Sequence, residues 1–248
     1  MLKSFSTAVS FLTIIRMPFG ASVLGPAQLA ASFACFPIAG FLLGLIYFAP
    51  AFLLKGSVPA PLLSILVCAA MVIMTRGLHL DGVADLADGF WGGMTPERRL
   101  EIMKDSRIGA FGVLALIFAI SLKIASIHGL LVTGRLEIIL AAPVFGRFAM
   151  VAAAYGAGYA RRQGLGKPFL ENIRVQHLAF ASAFFALCAT PILGPAVTAG
   201  FLLPVLGSAL ILRFMSNRLL GGITGDVLGT VSETAEIVVL VLGACILS

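Results

Sequence analysis

The feature that most limits how this chain can fold is a series of long apolar runs, at about 29–54, 58–75, 108–132, 136–159, 177–193 and 195–212, with Gly and Pro at their ends. A spanning helix needs about 20 mostly apolar residues. Inside lipid, only a helix or a closed barrel satisfies every backbone N–H and C=O. A seventh run, from about 232 to the C-terminus, starts polar. The 248 residues are 60% hydrophobic and 11% charged, against roughly 25% charged in soluble domains. The expected fold is all-α: a polytopic transmembrane helical bundle of six or seven spans, forming a single integral-membrane catalytic domain over residues 1–248. Phe5 to Ile15, between Lys3 and Arg16, is expected as an N-terminal interfacial helix. No small-residue cleavage site precedes Pro18, which argues against a removable signal peptide. Cys35, Cys68, Cys188 and Cys245 are widely separated in apolar runs and read as small buried hydrophobes.

A net charge of +6 would suggest nucleic acid as a partner in a soluble protein. Here the positions of the basic residues explain it. Thirteen of the seventeen Lys and Arg precede the first run or follow the second, fourth and sixth. Lys55 and Arg135 fall on the opposite side, and Lys123 and Arg147 inside runs. The positive-inside bias therefore places the N-terminus and those three connections in the cytoplasm. No nucleic-acid partner is expected, and the lipid bilayer is. Lys123 and Arg147 are functional suspects because charges inside spans are costly, although Lys123 is near enough to an end to snorkel.

Of only eleven acids, six are Asp81, Asp85, Asp88, Glu97, Glu101 and Asp105, and three are Asp226, Glu233 and Glu236. Both groups fall on the expected cytoplasmic side, so patches far apart in sequence can meet in space. Asp81, Asp85 and Asp88 are spaced i, i+4, i+7, within roughly 60° of one helix face. Like charges so aligned repel. Oxygen ligands without a Cys partner favour a hard divalent cation such as Mg²⁺, and a solvated helix face is the plainer reading. Asp226, Glu233 and Glu236 likewise fall within about 80° of one face. Gly221, Gly222 and Gly225 beside them either offer backbone N–H groups to a phosphate or allow close helix packing. Thr95 to Asp105 reads as a short helix with a Thr cap and Pro at its first position. Asp105-Ser106-Arg107 ahead of Gly109 and Gly112 suits an anionic ligand. His79 lies off the aspartate face, as a proton carrier or a helix cap, and Trp91 reads as an interfacial anchor. No GxxxxGK[ST], GxGxxG, HExxH or GxSxG pattern is present.

Thr75-Arg76-Gly77-Leu78-His79-Leu80-Asp81-Gly82-Val83-Ala84-Asp85-Leu86-Ala87-Asp88-Gly89, then Met103 to Gly112, then Gly221 to Asp226, resemble the cobalamin synthase family, also called adenosylcobinamide-GDP ribazoletransferases. The similarity covers nearly the full chain in length and order. It implies a Mg²⁺-dependent transfer in which adenosylcobinamide-GDP reacts with α-ribazole or its 5′-phosphate, GMP leaves and the nucleotide loop of cobalamin is completed. On this resemblance Asp81, Asp85, Asp88, Asp226 and Glu233 hold the metal. Arg76, Lys104, Ser106, Arg107, Gly222, Thr224 and Gly225 bind substrate, and His79 or Asp105 takes the ribose hydroxyl proton. The site would face the cytoplasm from a bacterial inner membrane, with the two substrates and the bilayer as partners and homo-oligomers left open. Two alternatives stand beside it. A CDP-alcohol phosphatidyltransferase shares a DxxDG element, but Asp85-Leu86-Ala87-Asp88-Gly89 continues as Phe90-Trp91-Gly92-Gly93 and lacks that family's Ala-Arg pair. An ion-coupled transporter would place its acids at the bilayer midplane, whereas these clusters fall in connections or at span ends.

Overall fold

A computed structural model describes residues 2–18, 25–161 and 166–246. Arg162, one of the thirteen basic residues, lies outside them. The helices are α1 Leu2–Leu12, α2 Pro26–Ser32, α3 Phe36–Leu53, α4 Ala60–Met74, α5 Leu78–Gly92, α6 Pro96–Ile102, α7 Ala110–Thr133, α8 Glu137–Ala154, α9 Lys167–Glu171, α10 Val175–Leu193, α11 Pro195–Leu220 and α12 Gly225–Ile246. A short 3₁₀ turn, Phe33–Cys35, joins α2 to α3. Among the described residues six elements are long and apolar enough to cross a bilayer: α2 with α3, then α7, α8, α10, α11 and α12.

Connectivity shows that α4 crosses too. Lys55, just past α3, reaches Gly134, just past α7, with its Nζ 3.0 Å from where a side chain on that glycine would begin. The ends of α3 and α7 therefore share one side, so the chain must return between them. The return is α4, whose 15 residues cover about 22 Å at 1.5 Å per residue. It ends in a bend of 86° into α5, which lies across the end of the bundle. Arg76 (φ 56°) and Gly77 (φ 66°) make this bend as two successive left-handed residues. Glycine adopts that conformation freely, whereas for Arg76 it costs about 1–2 kcal/mol. Hydrogen bonds from Arg76 N to Ile73 O and from Gly77 N to Val72 O hold it in place. The N-terminal segment docks there, with Ile14 N donating to Met74 O and Arg76 Nη2 to Phe11 O.

α8 is the central helix, packed against α3, α10, α11 and α12. On α3, Cβ atoms at Gly40 and Gly44 would collide with the carbonyls of Pro143 and Leu140. Glycines thus let these two spans touch backbone to backbone, the form of packing that drives helix association where lipid is as apolar as leucine. The expected start of the last span near 232 is corrected to Gly225. Thr224 accepts a hydrogen bond from Val227 N at 3.3 Å as its cap, and the polar residues of its first half are covered by neighbouring helices. Lys123 does not snorkel. It is buried, donates to Glu236 at 2.8 Å and pairs with Glu233, while the buried Arg147 pairs with the other oxygen of Glu236. Two cations and two carboxylates balance inside the bundle, which offsets the high cost of removing each from water. Of the cysteines, Cys35 and Cys68 are buried as expected, Cys188 is partly buried and Cys245 is exposed.

Candidate active site

The end of the bundle that carries the α4–α5 bend also carries the starts of α7 and α12. α5 does present Asp81, Asp85 and Asp88 along one face, but in three environments: exposed, half-buried and buried in turn. α12 crosses α5 at two glycines. A Cβ on Gly82 would lie 2.7 Å from the Asp226 carbonyl oxygen, and one on Gly229 would lie 3.2 Å from His79 Cα. Thr230 fastens the crossing by donating to the Gly82 carbonyl at 3.0 Å. The two acidic patches therefore meet. Asp226 accepts hydrogen bonds from Arg161 at 2.8 Å and from the Thr224 hydroxyl at 3.2 Å. The Asp85 carboxyl is pushed up to about 7, first by burial and then by the charges of Asp226 and Asp81, against the pull of Arg161.

Beside this junction lies a cavity of about 310 Å³. One wall comes from α5 and α12: His79, Asp81, Gly225, Asp226 and Gly229. Apolar lining comes from Phe11, Phe33, Phe36 and Met150, and Tyr159 and Arg161 also border the cavity. His79 is buried, and neither ring nitrogen has a hydrogen-bond partner among the described residues. Burial pushes its pKa well below the usual imidazole range, helped by the positive charges of Arg147 and Lys123. A neutral imidazole carries one nitrogen that can accept a hydrogen bond or a proton.

The profile of one family matches residues 4–244, nearly the whole path from α1 to α12 that builds this junction. The chain belongs to the cobalamin-5-phosphate synthase family. A Syntrophobacter fumaroxidans protein named adenosylcobinamide-GDP ribazoletransferase is 46% identical over 250 residues, covering 99% of each chain. Proteins with the same name from Chlorobium chlorochromatii (37% identical, 100% of this chain and 98% of that protein) and Klebsiella pneumoniae strain 342 (38%, 97% and 98%) are further relatives. No solved structure matches.

Within this family member, the residues expected at the site from sequence divide into those the fold brings together and those it uses elsewhere. Asp81, Asp85, Asp226, His79 and Gly225 converge. Among the described residues no three His, Cys, Asp or Glu side chains form a ready-made metal cage. Mg²⁺ does not need one, since it typically takes one or two carboxylates and completes its shell with water and substrate phosphate. The hard oxygens of Asp81, Asp85 and Asp226, and the burial and neighbouring charges that raise Asp85, fit such an ion.

Two members of the expected metal set require correction. Asp88 accepts from Gly109 N at 2.7 Å and Gly112 N at 2.9 Å, one hydrogen bond to each carboxylate oxygen. It is an anionic cap at the start of α7, where the helix dipole favours negative charge. The α7 residues facing it are glycines because a Cβ on either would strike the carboxylate. Glu233 is paired with Lys123 inside the bundle, a helix interior away from the aspartates.

The expected substrate-binding residues also separate. Asp105 and Arg107 pair with each other at 2.7 Å in the open. Arg107 hydrogen bonds hold the Asp105 carboxyl down to about 2, far below what a proton acceptor needs at neutral pH. Both border a second groove of about 580 Å³ that Asp88 also lines, near exposed Lys104 and Ser106. Arg76 occupies the bend. Gly222 lets the chain pass the backbone of 158–160, with Ile223 N donating to Gly158 O at 2.8 Å, and Thr224 caps α12. Sequence reasoning missed Tyr159, Arg161, Met150 and the three phenylalanines. Arg161 was counted only as a topological charge, and nothing in its local sequence marks it as the partner of Asp226.

Proposed function

We infer that this chain is an adenosylcobinamide-GDP ribazoletransferase, joining the cobinamide and ribazole parts of cobalamin with release of GMP. The observation that carries this reading is the junction of α5 and α12. It sets Asp81, Asp226, Arg161 and a His79 without a hydrogen-bond partner among the described residues around one cavity, with Asp85 beside them and coupled in charge to Asp81, Asp226 and Arg161. In the transfer, the ribose hydroxyl oxygen bonds to the cobinamide-linked phosphorus, the bond from that phosphorus to the GMP oxygen breaks, and the hydroxyl proton leaves. Such reactions depend more on positioning and charge neutralisation than on covalent help from the protein. Asp81, Asp85 and Asp226 would hold Mg²⁺, which supplies neutralisation of the pyrophosphate and the departing GMP. Arg161 orients Asp226 and adds positive charge at the rim. We assign receipt of the hydroxyl proton not to Asp105, which does not line the cavity, but to His79, which does. The negative substrate beside it would strengthen it as a base.

The direct test is release of GMP from the GDP-activated corrinoid by purified protein in detergent, with ribazole and Mg²⁺. His79→Ala is expected to slow single turnover by about 10²-fold or more, the usual share of a general base, and Asp105→Asn to leave it within a few-fold. The reverse order would exchange their roles. Gly82→Val tests the junction itself. Overpacking of about 1–3 kcal/mol would force α5 off α12, and turnover should fall at least tenfold in protein that remains monodisperse. Normal turnover would show that the junction is not the reaction centre.

We place this end of the bundle in the cytoplasm, at the inner membrane of a bacterium, because the basic residues cluster there. A periplasm-sensitive reporter fused after Arg99 should remain silent and one fused after Gly134 should give signal. Signal after Arg99 would invert the orientation.

A further inference from the structure

The cavity's two walls differ in chemistry in a way that the reaction alone does not require. Its rim is wet, with Leu78, Asp81 and Gly225 exposed, whereas Phe33, Phe36, Met150 and Leu228 are buried. Phe33 and Phe36 stack at 4.4 Å with their planes 18° apart, and Phe11 lies 6.5 Å from Phe36 at 20°. Three nearly parallel rings thus line the same cavity as the acids. Aromatic lining favours a flat aromatic ligand, through burial and edge or offset contact. The polar lining includes His79, more than nine-tenths buried, with both nitrogens unpartnered among the described residues. A buried polar group left so costs stability unless a ligand or water satisfies it. At about 310 Å³ the space lies at the small end of ligand pockets, too small for a corrin macrocycle but of a size for one nucleoside.

We propose that this cavity is the seat of the acceptor nucleoside. Its ribose lies against the α5–α12 wall near His79 and Asp81, and its planar nitrogen-containing base against Phe11, Phe33 and Phe36. Met150 closes the apolar side and limits how large a base can enter. The proposal rests on the transferase reading and adds to it which substrate enters the bundle and which residues select its base. The corrinoid, by contrast, stays outside, at the membrane surface.

The test uses the full chain in detergent and two α-ribosides, one of bicyclic benzimidazole and one of monocyclic imidazole. Binding is measured by equilibrium dialysis and KM by GMP release. Met150→Phe narrows the apolar side and is expected to weaken the benzimidazole riboside about tenfold or more, the scale at which hydrophobic pockets discriminate by size. The imidazole riboside and the KM for the GDP-activated corrinoid should each change less than about twofold. Met150→Ala should relax the selection, so that a riboside of a tricyclic base binds better than to the wild type. Should Met150→Phe fail to fold, Phe11→Leu, at a half-buried position, is expected to raise the Kd of the benzimidazole riboside several-fold. Equal losses for both ribosides, or a loss confined to the GDP-activated corrinoid, would overturn the proposal. Wild-type protein that binds the riboside but releases no GMP would refute the transferase reading while leaving the seat in place. Protein that releases GMP normally while Met150→Phe and Phe11→Leu leave both ribosides unaffected would refute the seat alone.

Discussion

Glu236→Gln is expected to be among the most damaging single substitutions in this protein although it lies away from the cavity. Glu236 holds Lys123 and Arg147 at once, and its loss leaves Lys123 on Glu233 and Arg147 without a directly paired carboxylate among the described residues. Breaking a buried pair by removing one partner costs about 3–5 kcal/mol, a large part of the roughly 5–15 kcal/mol that holds a typical protein folded. The yield of monodisperse protein and the thermal midpoint in detergent should both fall sharply. Arg147→Met combined with Glu236→Gln restores neutrality, leaving Lys123 with Glu233, and should recover much of the loss. A Glu236→Gln protein that melts like wild type, or a double variant no better than the single, would show that the four charges do not act as one balanced unit. The same cluster bears on the transporter alternative. Acids do lie inside spans here, but they are closed in ion pairs with Lys123 and Arg147.

The second large effect separates acids that serve chemistry from one that serves structure. Asp81→Asn, Asp85→Asn and Asp226→Asn should each lower turnover by about 10²–10³-fold, the scale for losing one preorganised electrostatic contact to a developing charge, while the protein stays folded. Asp88→Asn should act differently. The amide keeps one acceptor and turns a donor toward a backbone N–H of α7, so stability should fall by about 1–3 kcal/mol with a smaller loss of turnover. Unchanged melting with abolished turnover in Asp88→Asn would return it to the metal set. Asp85 carries a pH signature as well. Its folded pKa of about 7 lies above the ordinary carboxylate value near 4, so the unfolded chain releases this proton first as pH rises. The group therefore destabilises the fold increasingly from about pH 4 up to about pH 7 and fully above that. With a chelator present, Asp85→Asn should gain more in melting temperature over wild type at pH 8 than at pH 5. An equal gain at both would mean that the crowding of Asp85, Asp81 and Asp226 does not persist in solution.

Hydropathy and charge bias were enough, from the sequence, to find the spans and the end of the bundle carrying the basic residues. Each run must satisfy its own backbone in lipid, and each loop charge acts locally at insertion. The 3.6-residue period likewise placed Asp81, Asp85 and Asp88 on one face, and the ordered motifs from Thr75 to Asp226 sufficed for the family. Helical period says only which way a side chain points, however, and the depth of each aspartate depends on what packs over α5. That is why Asp88 proved to be the cap of α7, and Glu233 the partner of a lysine more than a hundred residues away. The 86° turn at Arg76 and Gly77, the contact of Gly82 with Asp226, and the meeting of Arg161, Tyr159, Met150 and the phenylalanines at one cavity were decided only by the tertiary structure. They arise from close backbone approach and burial among segments distant in sequence, and no local pattern encodes those.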